Sequence, residues 1–508
     1  MITARRIALA GIVALCVVLF VLVQTATVRR QGGAAPESSK PAASKQPNVV
    51  LLVLDALRAD RIGAERNGVP ITPTLERFSE ASLNFAHAVS PASWTKPAIA
   101  SLFTSLYPDA HQVYYAADDS NPDQLLADAL PAYLETMASF LKKAGYSTSI
   151  IVTNGNLVTE LGFAQGFDHY AFQNNATADW VTDLAIKEGR ELKEPFFLYA
   201  HYMEPHAPYD PPERYRTVFG PLPELSPAEQ DVVGHSMDYL IDQAEHFWGV
   251  RETRRWPDLS PQGRETLRIL YDGDCRFMDD KLAELFAFLD TERENTLIIV
   301  VADHGEEFWE RGSMGHGSSV YQEQIAVPFF IHGPGIPARV CDTPVETLHI
   351  LPTVAAYLGI EASPVWQGRS LLTDRAESQP VYSTTYGDSP RMKIHTSAVI
   401  VGSSKLIVNS RRDAPELYNL AADPQERRDL AATYPEKVAE MRRLLEEHLR
   451  ENLRHRKAVG LPQTVSLPRE LQEQLEAIGY VGTDGGAENR VRLDSEMQER
   501  LKSLGYLE

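Results

Sequence analysis

The sequence predicts an α/β protein built on a large, mostly parallel sheet with helices on both faces. Three observations carry this expectation. Short apolar runs rich in β-branched and aromatic residues recur along the chain, segments of helix length separate them, and polar residues with metal-ligand chemistry follow the runs directly. Strands that alternate with helices form parallel sheets buried on both sides, and ligands in such folds sit at the carboxyl ends of the strands. The 508 residues allow two to four domains, or one large α/β unit with an appendage. With 44% hydrophobic and 23% charged residues, collagenous, disordered and polytopic membrane classes are excluded for the chain as a whole. Asp plus Glu exceed Lys plus Arg by 69 to 49, a net charge of −20, so nucleic acid is not expected as a partner.

In chain order, Arg5 and Arg6 precede an almost wholly apolar stretch, Ile7 to Val28. Its 22 residues match the roughly 20 needed to cross a bilayer. No clear small-x-small cleavage site follows, so a retained anchor is favoured over a cleaved signal, and either one exports the rest of the chain to a periplasmic or extracellular position. Gln31 to Pro47 is rich in Gly, Ala, Pro, Ser and Lys, a linker composition. Five runs then resemble buried strands: Val49 to Leu54, Ser149 to Val152, Phe196 to Ala200, Leu297 to Val301 and Val327 to Ile331. Leu125 to Lys143, with Gly145 as its stop, and Met278 to Leu289 have helical spacing.

The residues at the strand ends carry the chemistry. The first run ends in Asp55, the second in Thr153-Asn154, the third in His201 and His206 within HYMEPHAPY, and the fourth in Asp303-His304. A lone Asp after a strand commonly serves a turn or a helix cap, but several such residues at one sheet edge point to a shared metal site. Thr95 precedes Pro97, and Pro favours the first helical turn, so the Thr95 hydroxyl is expected where a helix begins. Unpaired amide groups and the dipole there favour an anion, although Thr95 or Ser93 could serve merely as the N-cap. Pro211 to Ser260, rich in Pro, charge and aromatics, reads equally as a rim near the cleft or an ordinary surface insertion. Glu436 to Arg456 reads as a charged helix. LPRELQEQLEAIGYVG from Leu467 recurs imperfectly as LDSEMQERLKSLGYLE from Leu493, two short amphipathic helices suited to docking on the body or to an oligomer contact. Cys16, Cys275 and Cys341 show no metal or redox spacing, which argues against thiol chemistry.

LDALRAD, ITPTLERF, WTKPAIASLFTSLYP, HYMEPHAPY, VVADHGEEF and MGHGSSVYQE together resemble the sulfatase family of the alkaline phosphatase superfamily. SSKLIVN and ELYNLAADPQERRDLA are similar to that family's closing segment, so the likeness runs from about Asn48 to Leu430. The resemblance implies an alkaline-phosphatase-like core, a smaller C-terminal α+β subdomain with an antiparallel sheet, and a metal-dependent ester hydrolase. With the segments read above, residues 1–30 are expected to form the anchor or signal, 31–47 the linker and 436–508 a helical tail with two short repeats, while the resemblance implies 48–375 as the catalytic domain and 376–435 as the C-terminal subdomain.

Carried onto this sequence, the resemblance makes Asp55, Asp303 and His304 metal ligands and Thr95 both ligand and nucleophile. His206 and His316 would contact ester oxygens or protonate the leaving group, with Asn154 and His201 as further substrate contacts. Two departures stand out: Thr95 occupies the place of the Cys or Ser that becomes formylglycine, and Ala56 that of a second Asp. No formylglycine can form from Thr95. A formylglycine hydrate has a second hydroxyl through which a sulfo-enzyme collapses, whereas a Thr ester must be released by an external acceptor, which suits phosphate mono- or diesters. Sulfate ester hydrolysis, and transfer of a phospho-group to a lipid or glycan, are the alternatives. Two carboxylates, an imidazole and a hydroxyl suit Zn²⁺ or Mn²⁺ better than Ca²⁺, with Mg²⁺ also open. His206 and His316 could instead serve a second metal, for which Asp210, Asp238 and Asp242 are unanchored candidates. The expected substrate is a small, glycan or lipid ester.

Overall fold

Eight strands form the central sheet: β1 (Asn48–Leu54), β2 (Leu83–Phe85), β3 (Ser147–Val152), β4 (His169–Phe172), β5 (Phe196–Tyr202), β6 (Thr296–Ala302), β7 (Phe329–His332) and β8 (Arg339–Cys341). Their order is β8-β2-β7-β6-β1-β5-β3-β4. The computed structural model describes residues 46–116, 126–247, 256–372, 379–386, 395–410, 414–460 and 462–466. The apolar stretch Ile7 to Val28, nearly all of the linker and both tail repeats lie outside these residues, as does Cys16. Among the described residues, no helix is long and apolar enough to cross a membrane.

Five neighbouring strands, β6-β1-β5-β3-β4, running out to one edge of the sheet, are all parallel. Every residue of β1 is buried, so both faces of the sheet are covered, which is why this run carries no polar alternation. Helix α1 (Thr95–Thr104) packs with Met137–Lys143 and Ile350–Tyr357, while α2 (Ala178–Glu191) and Pro73–Glu80 pack on the long α3 (Pro261–Glu292). Pro261 in the first turn and the Ser260 hydroxyl, which accepts from the Gly263 amide at 3.2 Å, start α3.

Two sequence expectations are corrected. The last strand is Phe329–His332 rather than Val327 to Ile331, and it runs antiparallel to β6. Pro328 has no N–H to give a ladder, so pairing begins at Phe329, opposite Val301. The connection from β6 to β7 holds only a four-residue helix, Gln322–Ile325, too short for a parallel crossover. Leu125 to Lys143 is not one helix. Leu126–Ala129 is a strand paired with Tyr115–Ala116 and Gln463–Ser466, and the helix is Met137–Lys143 alone. Pro131 would break a continuous helix, and Thr136 starts the short one by a reciprocal cap with Ser139. Cys275 and Cys341 are both free thiols.

A second, antiparallel sheet comes next in the chain: β9 (Val381–Thr385), β10 (Thr396–Val401), β11 (Ser404–Asn409) and β12 (Glu416–Asn419). Strand alternation divides its side chains between two faces. Val399, Leu406 and Leu417 pack on Met441, Leu445 and Leu449 of α4 (Pro435–Val459), whereas Ala398, Ile400, Ile407 and Tyr418 pack on Val320, Tyr321 and Ile325. The second face therefore rests on the loop that carries His316.

Candidate active site

Strand register assembles the site. Leu54 lies opposite Tyr202 on one side and Ala302 on the other, so Asp55 and Asp303 leave neighbouring strands at the same level. The Asp55 amide donates to the Tyr202 carbonyl at 3.0 Å, which extends the ladder by one rung and fixes the carboxylate. His201 sits opposite Val53, on the Asp55 side of the pleat. Asn154 begins the turn after β3, where its Oδ1 accepts from the Asn156 amide at 2.9 Å.

Thr95 is the first residue of α1. Trp94 is the N-cap and makes no side-chain cap bond, so the threonine hydroxyl is not consumed in capping. Its Oγ1 lies 3.2 Å from His304 Nε2, 3.5 Å from Asp55 Oδ2 and 3.4 Å from Asn154 Nδ2. The Asn154 amide also donates to Asp55 Oδ2 at 2.8 Å and so bridges the two. His201 uses both ring nitrogens: Nε2 meets Asp55 Oδ2 at 3.0 Å, and Nδ1 accepts from Tyr199 OH at 2.9 Å. Tyr199 stands two residues earlier on β5 and thus on the same face.

Asp303 Oδ1 accepts from the amides of His304 at 2.9 Å and Ala56 at 3.2 Å. Where a second acidic side chain was expected to be lost, the Ala56 backbone instead orients Asp303. His304 Nδ1–H donates to the Gly305 carbonyl at 2.9 Å, which leaves Nε2 as the atom that faces Asp55, Asp303 and Thr95. Only glycine fits at 305, because a Cβ there would come within 2.2 Å of the Glu323 carbonyl oxygen.

Asp55, Asp303 and His304 present ligand atoms within 4.8 Å of one another, and they are the one such group found among the described residues. All three are buried. Among the described residues nothing donates a hydrogen bond to Asp55 Oδ1 or Asp303 Oδ2, although a buried carboxylate oxygen ordinarily finds a donor. Two buried acids so placed call for a positive charge between them, and an oxygen, oxygen and imidazole set fits a divalent cation. The charge distribution agrees. Burial pushes Asp303 up to about 6, helped by the Asp55 charge and opposed by His304. Burial would lower His304, yet Asp303 and Asp55 raise it to about 9. Burial would also raise Asp55, but the His206 charge, the His201 bond and the approach of His304 hold it well below the usual range.

His206 and His316 flank this group. Their ring centroids are 4.9 Å apart, and each approaches His304, at 6.4 and 4.2 Å respectively. His206 Nδ1–H donates to the Ala207 carbonyl at 2.5 Å. Burial depresses His206 to about 4, and it also holds His316 low, assisted by the His304 charge. The Gly317 amide donates to the Ser93 carbonyl at 2.8 Å, and the Gly317 carbonyl accepts from Thr385 Oγ1 at 2.8 Å. These bonds tie the GHG turn to the segment before α1 and to β9. Two of the three candidates for a second metal are engaged elsewhere: Asp210 pairs with Arg216, and Asp242 accepts from the Trp256 amide at 3.1 Å.

Sequence reasoning assigned no role to Glu306, Tyr199 or Tyr209. Glu306 Oε1 lies 2.9 Å from His316 Nδ1, and Tyr209 OH donates to Glu306 Oε2 at 2.9 Å. Burial pushes Glu306 up to about 7, against the pull of His206 and His304.

A family profile described as Sulfatase matches residues 47–360. The delta 4,5-hexuronate-2-O-sulfatase of Bacteroides thetaiotaomicron is 25% identical over 452 residues, covering 80% of this chain and 89% of its own. Among solved structures, one determined in complex with its substrate D-glucosamine-2-N,6-O-disulfate superposes with a TM-score of 0.64 at 18% identity, over 80% of this chain and 98% of its own. The phosphonate monoester hydrolase of Agrobacterium radiobacter superposes with a TM-score of 0.61 at 18% identity, over 80% of this chain and 96% of its own.

Proposed function

The chain belongs to the sulfatase family, whose members hydrolyse ester bonds, and from that premise we propose a metal-dependent phosphate mono- or diester hydrolase with Thr95 as nucleophile. The observation that carries this reading is the position of Thr95 Oγ1, at the start of α1 and 3.2 Å from His304 Nε2, beside the Asp55 and Asp303 carboxylates. Asp55, Asp303, His304 and Thr95 would hold the cation, with Zn²⁺ or Mn²⁺ preferred. When bound, a divalent ion would lower the pKa of the threonine hydroxyl, a weak nucleophile at neutral pH.

The protein's own groups supply the remainder. Thr95 Oγ gives up its proton and attacks phosphorus as the bond to the leaving oxygen breaks, and His206 and His316 contact the ester oxygens and carry that proton to the leaving group. Water then attacks the phosphothreonine and regenerates Thr95. Asn154 aligns Asp55 with Thr95. His201, expected in contact with substrate, acts in this proposal through Asp55, since both its nitrogens are already used. The fold also hosts phosphonate monoester hydrolysis in the Agrobacterium protein.

Sulfate ester hydrolysis is the second reading. It is supported by the names of the hexuronate sulfatase and of the structure solved with a disulfated glucosamine, which also favour a glycan ester as substrate. Phospho-group transfer to a lipid or glycan is the third, and would appear as turnover that needs an added acceptor.

The test is hydrolysis of matched aryl phosphate monoester, phosphodiester and sulfate by the full chain with added Zn²⁺, Mn²⁺, Mg²⁺ or Ca²⁺. Phosphate ester turnover that falls on the order of 10³-fold or more in Thr95→Ala, and is retained in Thr95→Ser, supports the proposal. Preference for the sulfate ester replaces it with the second reading.

A further inference from the structure

We propose that Glu306 is a positioning residue for His316, fixing the imidazole so that Nε2 is the nitrogen delivered to the ester. This deepens the reading above and rests on it. Three observations carry it. First, the Glu306 side chain is wholly buried, yet both its oxygens are engaged: Oε2 accepts from Tyr209 OH and Oε1 stands 2.9 Å from His316 Nδ1. An acceptor at Nδ1 puts the proton there and the lone pair on Nε2. Second, the His316 ring lies 4.2 Å from His304 and 4.9 Å from His206, so the nitrogen turned away from Glu306 belongs to the side of the ring that shares the site.

Third, the support is rigid at every joint. Tyr209 is itself buried, and its ring packs against Tyr271 at 5.7 Å and Phe308 at 5.6 Å. The Glu306 carbonyl accepts from Arg58 Nη1 at 2.7 Å. Tyr209, Glu306 and His316 therefore form a relay that ends at the ester, resembling the carboxylates that orient metal-bound or catalytic histidines elsewhere. His206 Nδ1 faces the Ala207 carbonyl, so the two histidines are held by different acceptors.

In the reaction, His316 Nε2 serves the leaving group. Its lone pair takes up the proton that the Thr95 hydroxyl releases on attack and passes it to the departing oxygen as the phosphorus to oxygen bond breaks; when water attacks the phosphothreonine, Nε2 takes the proton of that water and returns it to the departing threonine oxygen. No net proton is consumed. An aryl oxygen with a low pKa leaves without this help, whereas an alkyl oxygen needs it.

The full chain is assayed on a nitrophenyl phosphate and an alkyl phosphate, as wild type, Glu306→Met, Glu306→Gln, Tyr209→Phe and His316→Ala. Glu306→Met removes the acceptor and is expected to lower kcat for the alkyl ester about a hundredfold, with KM changed less than about twofold and the nitrophenyl ester slowed less than about fivefold. Glu306→Gln retains one acceptor and recovers part of the loss, Tyr209→Phe loses less, and Glu306→Met with His316→Ala is no slower than His316→Ala alone. Equal losses on both esters, or additive losses in the double variant, overturn the proposal.

Histidine side-chain ¹⁵N NMR decides the same point without turnover, with His316→Ala identifying the signal. Nδ1–H on His316 in the wild type, lost in Glu306→Met, is expected. An Nε2–H tautomer, as a protonated Glu306 donating to Nδ1 would give, overturns it. If the wild type hydrolyses neither ester, the hydrolase reading fails while the NMR result still judges Glu306.

Discussion

At the residue scale, two buried carboxylates and one imidazole compete for a single positive charge. Asp55 Oδ1 is 3.3 Å and Asp303 Oδ2 3.6 Å from His304 Nε2. Without a cation, the proton on His304, raised to about 9, supplies that charge. A metal needs the neutral ring, so proton and metal exclude each other. Below pH 9 each cation must displace the His304 proton, and its apparent affinity should rise about tenfold per pH unit towards pH 9 and level off above it. Below about pH 6, protonation of Asp303 should steepen the dependence. Calorimetric titration of Thr95→Ala with Zn²⁺ at pH 7.5, in buffers of different ionisation enthalpy, should count about one proton released. The threonine variant removes the contribution of its own hydroxyl, and an affinity flat between pH 7 and 9 would contradict the arrangement. The positions of Asp55, Asn154, His201, Asp303 and His304 were legible because each directly follows or ends an apolar run. Glu306 was not, since its meaning depends on Tyr209, 97 residues away, whose approach only the folded chain creates.

At the element scale, the His316 loop is held from the side of the C-terminal sheet by buried charge. Lys405 on β11 has its Nζ 2.7 Å from Glu426 Oε1, with both side chains wholly buried. Glu426 Oε2 accepts from the Gln322 amide at 2.8 Å, and Arg311 reaches Glu323 at 3.1 Å and the Glu426 carbonyl at 2.8 Å. The SSKLIVN and DPQERRDL segments thus brace the turn that carries His316, which gives them a physical role in the site. Lys405→Met strands a buried carboxylate and is expected to cost about 3 kcal/mol in chemical denaturation, while Lys405→Met with Glu426→Leu recovers most of it. Equal stability of single and double variants would show that the pair does not act as a unit. The core strands were legible because strands buried on both faces read as unbroken apolar runs. The segment from 125 to 143 was not, because its apolar spacing imitates a helix while Pro131 and the long-range partner Gln463–Ser466 make its first part a strand.

At the scale of the whole molecule, the order of the motifs along the chain is what a parallel sheet needs: Asp55, Asn154, His201 and Asp303 leave or end neighbouring strands at one edge, while Thr95 and His316 reach the same place from a helix start and a loop. The net charge of −20 surrounds a site whose carboxylates could hold a cation, and in the proposed reaction an anionic ester would reach it through local rather than global attraction. We propose that this body is exported and held at a membrane by Ile7 to Val28, on the strength of that stretch's length and apolarity. A 22-residue, almost wholly apolar span partitions into lipid far more strongly than one acyl chain, so the protein should stay with membranes through alkaline carbonate and leave only with detergent. Intact mass spectrometry of the extracted protein separates the two forms of export. A mass that includes the first 30 residues identifies a retained anchor, loss of those residues with release into the soluble fraction identifies a cleaved signal, and an intact chain in the soluble fraction overturns the membrane assignment.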